Sequence, residues 1–453
     1  MKNLQTTMKN FRAFGIAILS MTSIIAMAQE NVQPDGHTGA TTHNPETPFQ
    51  KFVSRLSVGG YGEAVMTRNF YSDHFNRYAY PDAHKDDDSH GRFDLPHVVI
   101  NLGYDFGKKW TMGMEIEFEH GGTESAVEMD ADESGEYEAE TEKGGEVALE
   151  QFWIQKSIFP MLNIRAGEIV VPVGATNAHH TPTEFFTCYR PEGEATLFPC
   201  TWHQIGISVW GKCDDWRYEA QIVPGLESDR FGAECFIHYG ATSSYEFTIA
   251  NTYAGVLRID NYSVPCLRLS ASGYIGNSFK NTLRKAGSAY DDVKGTVKIL
   301  TFDFAYKNNY VIARGNYDIA SVSDATRINK YNNAFPKHTS QDGQPSKHQP
   351  VGEKALCYGA EAGFNFFALS DRLTQDEQKL VLFGRYEYQN SMKEGANKST
   401  YKWTDRNRFA VGLNYFPMKE IVVKGEYSYR NFDSMYNDEP SVSLSIAYSG
   451  WFK

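Results

Sequence analysis

The chain has 453 residues, of which 41% are hydrophobic and 14% aromatic, and it carries a formal net charge of −12. This acidity argues against nucleic acid as a partner, because phosphate binding requires a basic surface. After residue 30, no apolar run reaches the roughly 18 residues that a membrane-spanning helix needs. Composition and hydropathy therefore exclude a helical membrane protein.

The N-terminus has the order of features that an export signal shows. Three basic residues accompany a mostly apolar stretch over residues 14–25, and Ala26-Met27-Ala28 has the small-x-small form of a signal-peptidase site. We therefore predict a signal peptide over residues 1–28, followed by a short periplasmic segment over residues 29–56. A buried N-terminal helix is the alternative.

Residues 110–119 alternate between large apolar side chains and polar ones. Successive side chains of a strand point to opposite faces, so such a strand has one apolar face and one acidic face. The apolar face contains Met112, Ile116 and Phe118, and the acidic face contains Glu115, Glu117 and Glu119. A half-buried strand of a soluble β-protein explains this segment when it is taken alone.

The same alternation returns along the whole chain and ends with "SVSLSIAYSGWF", which gives about sixteen strands of roughly ten residues. Short turns such as "FGKK" and "FPMK" alternate along the chain with long polar segments such as 68–95 and 117–146. A soluble sandwich has no reason to sort its connections in this way, and its strands are usually shorter. The pattern predicts an all-β fold over residues 57–453: a transmembrane antiparallel β-barrel of about 16 strands with short periplasmic turns and long extracellular loops.

Strand phase directs both signs of charge toward the interior of such a barrel. The inward cations are Arg165, Arg217, Arg258, Arg268, Arg314, Arg385, Arg408 and Arg430. The inward anions are Glu115, Glu117, Glu119, Glu219, Asp260, Asp318, Glu361, Glu387 and Glu426. These residues either select permeating ions or neutralise one another across the sheet, and the sequence leaves both interpretations open.

Several segments resemble the phosphate-selective porin O/P family of sixteen-stranded outer-membrane porins. They include "RAGEIVVPVG" (165–174), "FPCTWHQIGISVWG" (198–211), "LFGRYEY" and "VKGEYSY". The resemblance implies a homotrimer of barrels in the bacterial outer membrane, each with a water-filled pore narrowed by the third long loop. That loop corresponds here to residues 172–202, which contain His179, His180, Glu184, Arg190, Glu192 and Glu194. We expect the constriction to include Arg165, His180, Glu184, Arg190 and Glu194.

These observations predict a porin for passive diffusion of small hydrophilic solutes or ions, with a preference for anions left open. The alternative is a substrate-specific outer-membrane transporter or receptor that works with a partner protein. We predict no enzyme, because no GxSxG motif is present and most histidines lie in loops. The expected partners are outer-membrane lipid, lipopolysaccharide and the permeating solutes.

No cofactor or metal is predicted, because the acidic segment 117–146 lacks EF-hand spacing, although the histidines and aspartates of 68–95 leave metal capture open. Cys188 and Cys200 lie in one segment without strand alternation. Export makes a disulfide between them an option, and two free thiols are the alternative.

Overall fold

The structure is a computed structural model that describes residues 47–131, 137–241, 247–332, 350–396 and 400–452. It divides into two units, Met1–Phe52 and Val53–Lys453, and the sheet belongs to the second. The predicted signal peptide, residues 1–28, and most of the predicted segment 29–56 lie outside the described residues.

The described residues contain seventeen strands in one antiparallel sheet. They are β1 Leu56–Asn69, β2 His90–Asp94, β3 His97–Gly107, β4 Trp110–Ala131, β5 Tyr137–Phe159, β6 Leu162–Val170, β7 His203–Cys213, β8 Trp216–Pro224, β9 Tyr253–Asn261, β10 Leu267–Asn277, β11 Thr296–Lys307, β12 Val311–Val322, β13 Gly352–Asn365, β14 Lys379–Gly395, β15 Asp405–Met418, β16 Ile421–Asn431 and β17 Glu439–Trp451. The α-helices are short: Pro48–Arg55, Gly174–Ala178, Glu192–Leu197, Ala325–Tyr331 and Asp371–Gln375. None of the helices among the described residues is long and apolar enough to cross a membrane.

The sheet closes on itself. From β3 onward each strand pairs with the next, and β1 pairs with β17 from Gly59↔Trp451 to Asn69↔Ser441. The short strand β2 pairs with β1 beyond the point where β3 stops pairing with it, so it adds no strand to the circumference. Sixteen strands therefore form the barrel wall, and the predicted closed antiparallel barrel is confirmed.

The two faces of the wall differ in chemistry, as the alternation predicts. Outward positions are apolar and exposed, and Ile207, Ile222 and Leu257 are each at least 50% exposed. The alternating positions between them are buried and mostly polar, such as Ser208 and Gln221. A closed sheet with this outer face has no unpaired edge and a surface that water does not solvate well.

The segment 117–146 differs from the predicted long loop. β4 continues to Ala131 and β5 begins at Tyr137, and their backbones pair from Glu124↔Gly144 to Ala131↔Tyr137. Backbone pairing needs no apolar core, so a polar hairpin extends the sheet. Residues 132–136, and the side chains of 122–146, lie outside the described part of the chain.

The long connections are not uniformly polar. Leu197, Phe198 and Trp202 of the β6–β7 connection share one buried cluster with Leu226 and Phe236 of the β8–β9 connection. The same cluster includes inward residues of the wall such as Val256 and Tyr274. Loop residues therefore pack together against one side of the barrel interior.

Candidate functional site: the barrel interior

A first group of interior charges lies on β8 to β11, where the register aligns opposite signs. Arg217 is directly opposite Asp260, and Glu219 is directly opposite Arg258. Arg258 Nε lies 2.8 Å from Asp260 Oδ1, and its Nη2 lies 3.0 Å from Asp303 Oδ2. These charges face the same side because all lie in the same phase of adjacent strands.

Arg217 and Arg268 make further ion pairs in this group. Arg217 Nη1 lies 3.2 Å from Asp260 Oδ2, and Arg268 Nη2 lies 2.8 Å from Asp303 Oδ1. Asp303 therefore receives two guanidinium groups, those of Arg258 and Arg268. Asp303 was absent from the predicted inward anions, although its alternation with Phe302 and Phe304 signals an inward position.

A second group forms a ladder on β12 to β16. Glu361 accepts from Arg314 at 2.7 Å and from Arg385 at 3.0 Å. Arg385 also pairs with Glu387 at 2.9 Å. Arg408 then lies 3.3 Å from Glu387 and 2.8 Å from Glu426. Alternation of sign along the ladder satisfies each charge through its neighbours.

The segment 171–202, between β6 and β7, lies against these interior side chains. Its backbone nitrogens at Phe186, Cys188 and Glu192 donate to Glu361 (3.4 Å), Glu426 (2.8 Å) and Glu387 (2.8 Å), respectively. At its beginning, the Gly174 carbonyl accepts from Arg258 Nη1 at 2.9 Å. The wall carboxylates thus serve both the arginines and the loop backbone.

Lys424 holds the same segment from β16 and was absent from the predicted site. Its Nζ donates to the carbonyls of Phe185 at 3.1 Å and Thr187 at 2.8 Å, and the residue is 1% exposed. Lys424 lies two positions before Glu426, so the phase that directed Glu426 inward could have identified it.

Glu192 is the loop residue with three arginine side chains around its carboxylate. It lies 2.8 Å from Arg406 and 2.8 Å from Arg430, and Arg408 is 3.8 Å away. Burial alone favours the neutral acid, but Arg430, Arg406 and Arg408 together outweigh it and lower the pKa of Glu192 to about 2. Its carboxylate therefore stays ionised inside the barrel.

Glu194 was expected at the constriction, but its hydrogen bonds are made within the loop. It is buried and accepts from the backbone nitrogens of Ala175 (2.8 Å) and Thr176 (2.5 Å), at the N-terminus of the helix Gly174–Ala178. Burial raises the pKa of Glu194 despite these hydrogen bonds. The side chain therefore supports loop structure.

Arg165 and Arg190 have unlike surroundings. Arg165 donates through Nε and Nη2 to Gln155 Oε1, at 3.1 and 3.0 Å, and lies 4.3 Å from the Trp153 ring centroid. Arg190 is 9% exposed, and its Nη1 donates to Thr201 Oγ1 at 3.1 Å. Arg190 therefore belongs to the loop and is buried close to wall residues such as Tyr61 and Glu117, whereas Arg165 lies on the wall itself.

Glu184 keeps substantial exposure, at 42% of its side chain, and its Oε1 lies 3.3 Å from His179 Nδ1. His179 Nε2 in turn contacts Arg268 Nη1. Of the residues in the loop, Glu184 is the carboxylate that water in the interior can reach most easily.

The acidic face of β4 lies inside the barrel, as predicted, but the expected wet surroundings are wrong for two of its members. Glu115 is 4% exposed and Glu117 is 1% exposed, whereas Glu119 is partly exposed. His180 lies against Glu115, with Nε2 3.9 Å from Oε1. The loop covers this part of the wall, and strand alternation could not show that.

Cys188 and Cys200 are free thiols, so the disulfide that the sequence left open is not formed. Burial raises the pKa of Cys188 to about 12, and it also raises the pKa of Cys200. Both groups are therefore neutral thiols at physiological pH.

Glu168 lies on the outward phase of β6, among apolar side chains, where an unpaired carboxylate is costly. Its Oε1 lies 2.7 Å from His203 Nδ1 on the outward phase of β7. The pair satisfies the carboxylate locally, because the two residues lie diagonally across adjacent strands.

No family model matches the chain. An uncharacterized protein of Aquifex aeolicus (strain VF5) is 26% identical over 391 residues, which cover 84% of this chain and 78% of that protein. At this identity the relative does not place the chain in a family.

Solved structures with a similar course of the chain include three outer-membrane proteins. An anion-selective porin from Comamonas acidovorans has a TM-score of 0.48 and 10% identity, and covers 87% of this chain and 99% of its own. The outer membrane channel DcaP of Acinetobacter baumannii has a TM-score of 0.48 and 10% identity. The match covers 87% of this chain and 97% of the DcaP chain. OmpT of Vibrio cholerae in its trimer form has a TM-score of 0.47 and 12% identity. The match covers 88% of this chain and 100% of the OmpT chain. The closed barrel itself is established by the strand pairing.

Proposed function

We propose that the protein is an integral outer-membrane porin that admits small hydrophilic solutes with a preference for anions. One observation carries the proposal: the barrel is closed, apolar outside and charged inside. An apolar outer face of this extent suits hydrocarbon, where every backbone group must be paired within the wall. The charged interior suits water and ions.

The proposed anion preference rests on which member of each ion pair water can reach. The Arg314 side chain is 25% exposed while Glu361 is 0% exposed, and Arg217 is 24% exposed while Asp260 is 3% exposed. Arg258, Arg385 and Arg408 depart from this trend because they are themselves buried. Ions in the interior therefore meet guanidinium groups more often than their carboxylate partners, with Glu184 as the main opposing charge.

The proposal also includes export, family membership, a trimer and a narrowing loop. A signal peptide over residues 1–28 supplies export, and the sequence resemblance supports membership of the phosphate-selective porin O/P family and a homotrimer. The segment 171–202 narrows the interior, supported by its contacts with Glu361, Glu387 and Glu426. No catalytic role is proposed.

A substrate-specific transporter that works with a partner protein is the second candidate. The buried cluster that joins Trp202 to Leu226 and Phe236 favours it, because packed loops restrict an open pore. In that case the interior conducts poorly until a partner moves the loops.

Planar-bilayer recording of the purified protein separates the two. A passive porin gives steady conductance without any partner, and a reversal potential in a salt gradient that indicates anion preference. A closed barrel without conductance in the absence of a partner contradicts the porin proposal and supports the transporter.

A further inference from the structure

Two strands of the wall and the loop 171–202 bring three metal-binding side chains together. Glu115 lies on β4, Glu150 on β5 and His180 in the loop, and one ligand atom of each lies within 4.8 Å of the other two. A β-bulge places Glu150 there, since the register shifts between Glu115↔Gln151 and Ile116↔Leu149. Strand alternation alone did not direct Glu150 inward, so the sequence prediction missed it.

The carboxylates of this cluster are buried without adequate partners. Glu150 is 2% exposed, and its Oε2 has no hydrogen-bond partner among the described residues. Glu115 is 4% exposed; Oε2 accepts from Gln151, but Oε1 has no hydrogen-bond partner in the described part of the chain. A buried acceptor without a donor is costly, and a cation satisfies both oxygens. The Tyr61 hydroxyl, which also lacks a hydrogen-bond partner among the described residues, adjoins Glu115 and supplies at most one donor to it.

The imidazole of His180 presents a lone pair to the same point. Its Nδ1 lies 3.2 Å from the Asn177 carbonyl, which can only accept, so Nδ1 carries the proton. In the neutral ring Nε2 is then an acceptor, and it faces Glu115 Oε1 at 3.9 Å, too far for a hydrogen bond. A carbonyl that fixes the ring through the distal nitrogen is the usual arrangement of a metal-binding histidine.

The surrounding charges fit a divalent ion. The Glu117 carboxylate and the Arg190 guanidinium lie near enough to Glu150 to act on it electrostatically. The carboxylates of Glu115, Glu117 and Glu150 outnumber the Arg190 guanidinium and the His203 imidazole that act on them, so a bound cation reduces the repulsion among the carboxylates. Two touching carboxylates otherwise need a shared proton.

We propose that Glu115, Glu150 and His180 bind a divalent transition-metal ion, with zinc as the best-suited representative. One imidazole nitrogen with two carboxylate oxygens is a zinc-type ligand set, and ligand distances of about 2.0–2.2 Å keep the donor atoms roughly 3–4 Å apart. The ion fastens the loop to the wall, because His180 belongs to 171–202 and the carboxylates to β4 and β5. The proposal revises the expectation of no metal and does not depend on the channel function.

The neighbouring group His97, Glu117 and Glu119 is the less suitable site. His97 Nδ1 already lies 2.5 Å from Glu117 Oε1, so this nitrogen has a partner. In the favoured site, by contrast, His180 Nε2, Glu115 Oε1 and Glu150 Oε2 have no hydrogen-bond partner among the described residues and can bind the ion.

The test is zinc binding to the full chain, purified in detergent and stripped with chelator. Titration against a chromophoric zinc chelator at neutral pH, with millimolar Mg²⁺ to occupy weak acidic sites, measures affinity and stoichiometry. We expect one zinc per chain, and an affinity lowered about tenfold or more in both H180Q and E150Q.

Two matched variants control for folding and for general loss of charge. E63Q neutralises another buried wall carboxylate with an unpartnered oxygen, and H84Q removes another carboxylate-paired histidine. Both should bind zinc like the unchanged chain. Zinc binding that is absent in the presence of Mg²⁺, or equal in H180Q and the unchanged chain, overturns the proposal.

A measurement without any variant covers the case in which the substituted chains do not fold. Crystals of the unchanged chain grown with zinc should give an anomalous difference peak at the zinc edge between His180 and Glu150. A peak at His97 instead, or no peak within the barrel, contradicts the proposed site.

Discussion

Glu192 Oε2 lies 2.8 Å from Arg430 Nε, which joins the loop 171–202 to the strand β16. Its other oxygen lies 2.8 Å from Arg406 on β15. One loop carboxylate thereby holds two strands, and this arrangement leads to the first two predictions.

Glu192→Gln should free this end of the loop. Removing one member of a largely buried ion pair leaves guanidinium charge uncompensated, and we expect a loss of about 3 kcal/mol in the free energy of unfolding. Urea denaturation in detergent measures it. Asp433→Asn, at a partly exposed pair with Lys402, is the control and should change stability by less than about 1 kcal/mol. Equal effects of the two variants would show that Glu192 does not anchor the loop.

The same pair predicts a dependence on acid. The folded-state pKa of Glu192, about 2, lies below its ordinary value of 4.5, so the ion pairs contribute stability that is complete above pH 4.5. This contribution falls as the pH decreases from 4.5 and is lost below about 2. Protease protection of the loop, measured between pH 6 and pH 2, should decline in this window. In the Glu192→Gln variant, protease protection should decline less between pH 4.5 and pH 2 than in the unchanged chain. Identical pH profiles for the variant and the unchanged chain would show that Glu192 is not the titrating group.

Lys424→Met should loosen the middle of the loop. Methionine fills similar volume without donors, so the carbonyls of Phe185 and Thr187 lose the ammonium group. Unsatisfied buried carbonyls cost about 1–3 kcal/mol each, and we expect about 2 kcal/mol overall after relaxation. Limited proteolysis near residue 186 and urea denaturation test this. Lys402→Met, at an exposed position, should leave both measurements unchanged.

The outer face provides a test of membrane placement. Ile207 is 56% exposed on β7, and Ile207→Arg should destabilise the protein in lipid by about 2–4 kcal/mol if this face meets the bilayer midplane. Refolding into vesicles with urea titration measures the change. Met435→Arg, in the β16–β17 connection and 55% exposed, should be tolerated. A harmless Ile207→Arg contradicts a lipid-facing wall.

Ion selectivity should follow the exposed interior charges. Arg217→Gln together with Arg314→Gln should shift the reversal potential toward cations, whereas Glu184→Gln should shift it toward anions. Arg327→Gln, outside the interior in the pair with Asp292, is the control and should leave the potential unchanged. If the interior variants behave like that control, the permeation path lies elsewhere.

The sequence by itself determined the barrel and its two faces. An alternation of period two specifies which side chains share a face, and so it placed Arg217, Arg385 and Glu426 inside without knowledge of their neighbours. It did not determine which charges meet, because pairing depends on register and on loops that cross large sequence distances. Glu192 with Arg430 is such a pair.

Tertiary structure alone decided the surroundings of Arg190, Lys424 and Glu150. Arg190 was expected at the constriction, yet loop packing buries it. Lys424 follows the inward phase, but the carbonyls that it binds belong to a loop more than two hundred residues earlier in the chain. Glu150 turns inward because one bulged residue reverses the local phase, and no periodicity in the sequence signals a bulge.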